Sequence, residues 1–396
     1  MNLIIKNAVL VTEGMRRGDI YIKDGRFAAK PPVGAAVIDA AGLCAAPGLV
    51  DMHVHLREPG QTHKEDIASG TLAAAAGGVT TVLAMPNTAP ATDSAEVVTY
   101  VRTRPATVKV EVCGAVTVGL GGKEASGYAA MKAAGAVALS DDGRPVQNAA
   151  VMKNAMLEAK KLGMLVCDHC EELALPGADS ASEAILVARD IALAEETGCP
   201  VHICHVSAKD TVRILRDAKA AGVPVTAETA PHYFTLTRDD VRGSTNAKMN
   251  PPLRGTEDRA AVIEGLKDGT LDVIITDHAP HAAEEKAQPF DKAPNGIVGL
   301  ETSLALGITE LVEKGVLTLP ELIEKMSTTP ARLLGLPRGT LEVGSEADLV
   351  LFNAAEEWTV DPEKLHSKSK NTPYAGRTVR GRVKYTVVSG EVVYVD

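Results

Sequence analysis

Nowhere in this chain do ~18 consecutive apolar residues occur, the length that a membrane-spanning helix needs. Its first residues, MNLIIKNAVLVTEG, carry too short an apolar run for a secretory signal and bring in charge at once. A cytoplasmic protein is therefore expected. Positive charge is in deficit: 41 Lys and Arg stand against 51 Asp and Glu, a formal net charge of −10. That balance argues against nucleic acid and against anionic membranes as partners, and it is silent on fold. Cysteine is too sparse for a disulfide framework, with six residues in 396. In a reducing compartment most of them should act as small buried hydrophobes. Cys167 and Cys170 have redox-pair spacing, but Asp168-His169 lies between them and no thioredoxin-like unit surrounds them.

What is present is an ordinary globular composition, 45% hydrophobic and 23% charged, enough to bury a sizeable core without cross-links. The length suits one large domain, or a large one with a small companion. The start reads as short alternating strands with turns, in NLIIKNAVLV, GDIYIKDGRFA and AAVIDAAG. The end reads alike, in GSEADLVLFN and GRVKYTVVSGEVVYVD, where Ser389-Gly390 has hairpin-turn character. Neither end can bury a face alone, so the two are expected to pair. Between them, Val- and Ile-rich runs recur at 49–55, 78–86, 108–116, 136–142, 164–170, 201–207, 223–232 and 272–281, separated by segments of helical period. Continuous apolar strands are buried on both faces and imply a parallel sheet. Eight strand–helix units of this size fit a (β/α)₈ TIM barrel, which usually takes roughly 250 residues. The expected architecture is thus an α/β barrel over 49–339, with a small β-sandwich domain built from residues 1–48 and 340–396.

Residues of metal-binding type gather at the carboxyl ends of the runs: His53 and His55 on the first, Asp142 on the fourth, His169 on the fifth, His205 on the sixth and Asp277 on the eighth. In such a barrel those ends converge on the face that carries active sites. His53 and His55, two apart on a strand, point to the same side. A lone His at a strand end is more often a hydrogen-bonded structural residue, and an Asp there often caps the next helix. Six such residues on five strands form a pattern instead. Imidazole and carboxylate suit zinc or a similar ion, and four His with two Asp exceed one tetrahedral shell, which points to two ions. Asp141 stands beside Asp142 and could take its place as ligand, leaving Asp142 to cap.

The motifs HVHLREPG (53–60), AMPNTAP (84–90), SDDG (140–143), HICHVS (202–207), KMNPPLR (248–254), TDHAPH (276–281) and GIVGLET (296–302) resemble the motif set of bacterial class I dihydroorotases, within the amidohydrolase superfamily. The resemblance spans nearly the whole chain. It implies the reversible cyclisation of N-carbamoyl-L-aspartate to dihydroorotate in pyrimidine biosynthesis, by metal-activated hydroxide with Asp277 as general acid and base. It implies two Zn²⁺ per subunit: His53, His55, Asp142 and Asp277 around the first, Asp142 bridging to a second completed by His169 and His205. It also implies that His55, Arg57, Asn87, Asn250 and His281 contact the substrate, Arg57 as a fork on its carboxylate, with the main chain of Asn295-Gly296 against the ring. A homodimer and an aspartate transcarbamoylase partner are compatible with it. The run ALSDDG has no lysine, which sets the chain apart from hydantoinases and allantoinases with a bridging carbamylated lysine. A catalytically dead scaffold for transcarbamoylase would lack ligands, and none is missing here. Two departures stand out. The segment between His169 and His205 is short for the branch, which implies a reduced loop and a looser second metal. Asn295 stands where a bulky apolar residue is usual.

Overall fold

The computed structural model describes residues 2–12 and 14–396. Eight parallel strands form the central sheet, in sequential order: β6 (Leu49–Val54), β7 (Val79–Ala84), β8 (Lys109–Ala115), β9 (Ala136–Ser140), β10 (Leu165–Asp168), β11 (Val201–Ile203), β12 (Val225–Thr229) and β13 (Val273–Ile274). Strands β6, β7, β10 and β11 are buried at every position, which is why they read as apolar runs rather than as alternation.

The eighth run is the shortest as a strand. Only Val273 and Ile274 stay in the ladder, because the backbone at Asp277 turns into the left-handed region, φ 47°. Two residues cannot close a barrel by main-chain pairing alone, and a side chain supplies the rest. Asp51 of β6 accepts hydrogen bonds from Thr276 N at 3.3 Å and Thr276 Oγ1 at 2.6 Å. His55 N donates to His278 O at 2.9 Å, just beyond. The seam between first and last strands is thereby closed directly under Asp277.

The two chain ends meet in a second, mixed sheet. Its strands are β1 (Leu3–Leu10), β2 (Arg16–Lys23), β3 (Arg26–Ala28), β4 (Ala36–Asp39) and β5 (Cys44–Pro47) from the start, with β14 (Leu349–Thr359), β15 (Thr378–Val388) and β16 (Glu391–Val395) from the end. The pairing is not antiparallel throughout: β1 pairs in parallel with β4 at residues 3–6 and with β5 at residues 9–10. The junction between the ends is the antiparallel pair β5–β14. Strand β14 shows how this sheet joins the barrel. Leu349 and Leu351 pack in the small sheet's own core with Leu3, Ile5 and Val387, while Val350 and Phe352, on the opposite face, pack in the main core. No helix among the described residues is long and apolar enough to cross a membrane.

Candidate active site

The barrel ends that carry β6, β9, β10, β11 and β13 bring their metal-type residues into one buried group. His53 Nε2 lies 3.3 Å from Asp142 Oδ1 and 3.8 Å from Asp277 Oδ1. His55 Nε2 lies 3.0 Å from Asp277 Oδ1 and 3.5 Å from Asp142 Oδ2. His205 Nε2 is 3.4 Å from Asp142 Oδ1 and 2.8 Å from His169 Nδ1. Asp142, at the centre, touches all four histidines. Asp141 turns away and accepts hydrogen bonds from the Thr117 amide and hydroxyl, so of the two neighbours Asp142 is the one in the cluster.

Three of the four imidazoles are oriented from behind, while Nδ1 of His205 is buried without a hydrogen-bond partner. His53 Nδ1 is 2.7 Å from Glu228 Oε1, His55 Nδ1 is 2.8 Å from Asn87 Oδ1, and His169 Nε2 is 3.1 Å from Glu171 Oε2. An acceptor at one ring nitrogen places the proton there and leaves a lone pair on the other, facing inward. His53 Nε2 is buried without a hydrogen-bond partner. The inward nitrogens of His169 and His205 face each other at 2.8 Å, and with the His169 proton directed at Glu171 its Nδ1 lone pair points at His205.

The electrostatics agree. Burial penalises charge on His53, yet Asp142 and Glu228 outweigh it and hold its pKa well above the usual value. Burial likewise opposes ionisation of Asp142 and Asp277, but the surrounding histidines hold both carboxyls below their ordinary range. His169 rises to about 9 against its own burial, through Asp142 and Glu171, and Glu228 falls to about 2 against its burial, through His53 and His202. This is a pocket that collects positive charge, and hard carboxylates with imidazoles are a divalent-metal donor set. The His53–His55–Asp277 and His53–Asp142–His205 groups each place three ligand atoms within 4.8 Å of one another. The residues fit a divalent metal site.

Above the cluster lies a cavity of about 300 Å³. Its lining includes His55, Arg57, Asn87, Asp142, His169, His205, Asn250, Asp277, His281, Asn295 and Gly296. His53 alone of the expected site residues sits behind the wall, fully buried. The buried Arg57 guanidinium donates from Nε to Pro280 O at 3.1 Å. Burial lowers its pKa to about 10, still a cation at neutral pH. His281 Nε2 is 2.7 Å from Asn295 O and 3.2 Å from Arg57 Nη2. Burial, with Arg57 and Lys64 nearby, depresses His281 to about 3 and keeps it neutral. Asn295 thus contributes its main-chain carbonyl to this wall. At Gly296, φ 136°, a Cβ would come within 2.6 Å of Ala279 O, so only glycine fits.

Asn87 and Asn250 have duties beyond the cavity. Asn87 bridges His55 and Asp142, the latter through Nδ2 at 3.2 Å, and Asn250 Nδ2 donates to Glu171 Oε2 at 2.8 Å. Sequence reasoning missed Glu228, Glu171, Gln61 and Lys64, the last two in the cavity lining. Glu228 did leave a signal: it is a carboxylate within an otherwise buried strand run, VTAET, and such a charge is kept only with partners. The six cysteines are free and buried.

A model of the amidohydrolase family matches residues 44–393, which is most of the chain. The chain belongs to the amidohydrolase family. Among curated amidohydrolase relatives, the dihydroorotase of Geotalea daltonii is 49% identical, covering 100% of this chain and 99% of that protein. The dihydroorotase of Geobacter metallireducens is also 49% identical, covering 100% of both. Among solved structures, the L-hydantoinase (dihydropyrimidinase) from Arthrobacter aurescens superposes with a TM-score of 0.92 at 30% identity, covering 99% of this chain and 95% of that one. A dihydropyrimidinase from Brevibacillus agri follows at a TM-score of 0.89 and 25% identity, covering 99% of this chain and 95% of that one. The chain is an amidohydrolase-fold hydrolase for cyclic amides.

Proposed function

We propose that this chain is a dihydroorotase, interconverting N-carbamoyl-L-aspartate and dihydroorotate. The observation that carries the reading is the pairing of a forked cation with the metal-type cluster: Arg57 and the Asp142–Asp277 group line one small cavity. A cyclic ureide bearing a carboxylate needs both.

In this reading His53, His55, Asp142 and Asp277 hold one divalent ion and His169 and His205, with Asp142 shared, hold a second. Two such ions, when bound, would acidify a water and polarise the amide carbonyl. The remaining work falls to the chain. Asp277 takes the proton from the attacking water and returns it to the leaving ring nitrogen; in cyclisation it receives the carbamoyl N–H proton and passes it to the oxygen that departs as water. Arg57 holds the substrate carboxylate through parallel N–H donors, beside a neutral His281 that adds no competing charge. Asn250 and the Asn295-Gly296 main chain orient the ureide edge.

Zinc is the ion this donor set suits first. A cytoplasmic location and association with a second copy or with aspartate transcarbamoylase go with the reading. The test is hydrolysis of dihydroorotate by the purified protein, with metal analysis of the same sample and sedimentation with and without transcarbamoylase. Turnover with close to two zinc per chain is the expected result. Metal-loaded protein that leaves dihydroorotate untouched, alone and with transcarbamoylase, would sink the assignment.

A further inference from the structure

The segment between β10 and the helix Ser180–Thr197 starts at His169. Glu171 follows two residues on, with Oε2 accepting from His169 Nε2 at 3.1 Å and Asn250 Nδ2 at 2.8 Å. The far end folds down onto the same side chain: a Cβ at Gly177 would sit 2.8 Å from Glu171 Oε1. What holds Gly177 there is Arg254, the last residue of the MNPPLR motif. Its Nη1 donates to Gly177 O at 3.0 Å and to Ala178 O at 2.8 Å. Its Nε donates to Ser207 Oγ at 3.1 Å, and Nη2 lies 3.6 Å from Glu183 Oε2. Glu183 in turn accepts from the amides of Ser207 and Ala208, both at 3.1 Å, and from the Ser207 hydroxyl.

Arg254, Glu183 and Ser207 are all buried. A buried guanidinium is retained where its fork is filled, and here the fork is filled by the loop that carries Glu171 and by the turn two residues past His205. We propose that Arg254 is a positioning residue for His169: it clamps residues 177–178 so that Gly177 confines the Glu171 carboxylate against His169 Nε2. That contact keeps the His169 proton on Nε2 and its Nδ1 lone pair toward Asp142. The inference rests on the two-ion reading above for its metal consequence, and on geometry alone for its loop consequence. A short loop is held tight by this clamp rather than by its own length.

Two variants approach Glu171 from different sides. Arg254→Leu removes the clamp; Gly177→Ala leaves the clamp and pushes on the Glu171 carboxylate. Chelator titration of the full-length metal-loaded protein, read as ions retained per chain, should show the weaker ion leaving both variants at roughly tenfold lower chelator, the low end for losing a support of this kind. The tighter ion should leave within twofold of the parent. Proteolysis of the metal-stripped protein should cut 172–179 faster in Arg254→Leu. Thermal unfolding separates general destabilisation, which would weaken both ions alike and so overturn the proposal, as would release at the parent's chelator concentration in both variants. If Arg254→Leu does not fold, Gly177→Ala decides the titration. A parent holding a single ion defeats the two-ion reading; cleavage of 172–179 then decides alone, with equal rates in parent and Arg254→Leu overturning the clamp.

Discussion

Glu228 lies 2.7 Å from His53 Nδ1 in a fully buried contact, and this leaves Nε2 of the imidazole facing Asp142 and Asp277. Glu228 also receives His202 Nε2 at 3.1 Å, so one carboxylate secures two rings from beneath the site.

Glu228→Gln keeps the shape of that contact and removes its charge. His53 then becomes a poorer donor toward the cluster. Metal affinity should fall about 10–100-fold, the usual effect of losing an outer carboxylate partner. Equilibrium dialysis against zinc measures it, and an unchanged affinity would mean that His53 is oriented by its strand alone.

Asp277→Asn should retain the fold, because the seam hydrogen bonds belong to Asp51 and Thr276. It should lose at least ~10²-fold in turnover, the scale of general acid–base catalysis. Steady-state kinetics alongside circular dichroism check this; turnover near the parent's would remove Asp277 from the proton path.

Arg57→Lys exchanges a fork for a point charge. Losing one charge-assisted hydrogen bond is worth about 2 kcal/mol, so KM for carbamoyl aspartate should rise by roughly 10–30-fold with kcat less affected. If KM does not move, the carboxylate is held elsewhere in the cavity.

Acid should destabilise the fold through His232. Its ring is buried with neither nitrogen hydrogen-bonded, and burial lowers its pKa from 6.5 to about 4. Below the unfolded value of 6.5 the unfolded chain takes the proton first, so stability falls as pH drops toward 4 and is unaffected above 6.5. The loss reaches about 2 kcal/mol by pH 5. Urea unfolding at pH 7.5 and pH 5 should show this extra loss in the parent and not in His232→Gln. Equal losses in both proteins would place the acid sensitivity elsewhere.

The strands were legible because a parallel strand buried on both faces can contain little but Val, Ile, Leu and Ala. Histidines and carboxylates at their carboxyl ends then stood out, His53 and His55 most clearly. The backbone at the site was not legible. Arg57, His205 and Asp277 have φ of 60°, 35° and 47°, conformations that no pattern of hydrophobicity announces and that surrounding structure must hold in place. The choice between Asp141 and Asp142 was equally hidden, since it depends on Thr117, a residue of the preceding loop. Glu228 escaped because its partner His53 lies 175 residues away along the chain, and Glu171, though only two residues past His169, because its second partner Asn250 lies 79 residues on.

The junction of β5 with β14 has a consequence for how the molecule is made. A ribosome delivers β1 to β5 first and their partners β14 to β16 last, with the whole barrel between. Residues 3–47 therefore wait, with an unpaired edge on β5, while some three hundred residues are synthesised. At a synthesis rate of about 5–20 residues per second that interval lasts roughly 15–60 seconds. Strand β6 waits for β13 while a little over two hundred residues are made. The oldest part of the nascent chain is the last to be completed, and its open edge has to be shielded from other chains throughout that interval.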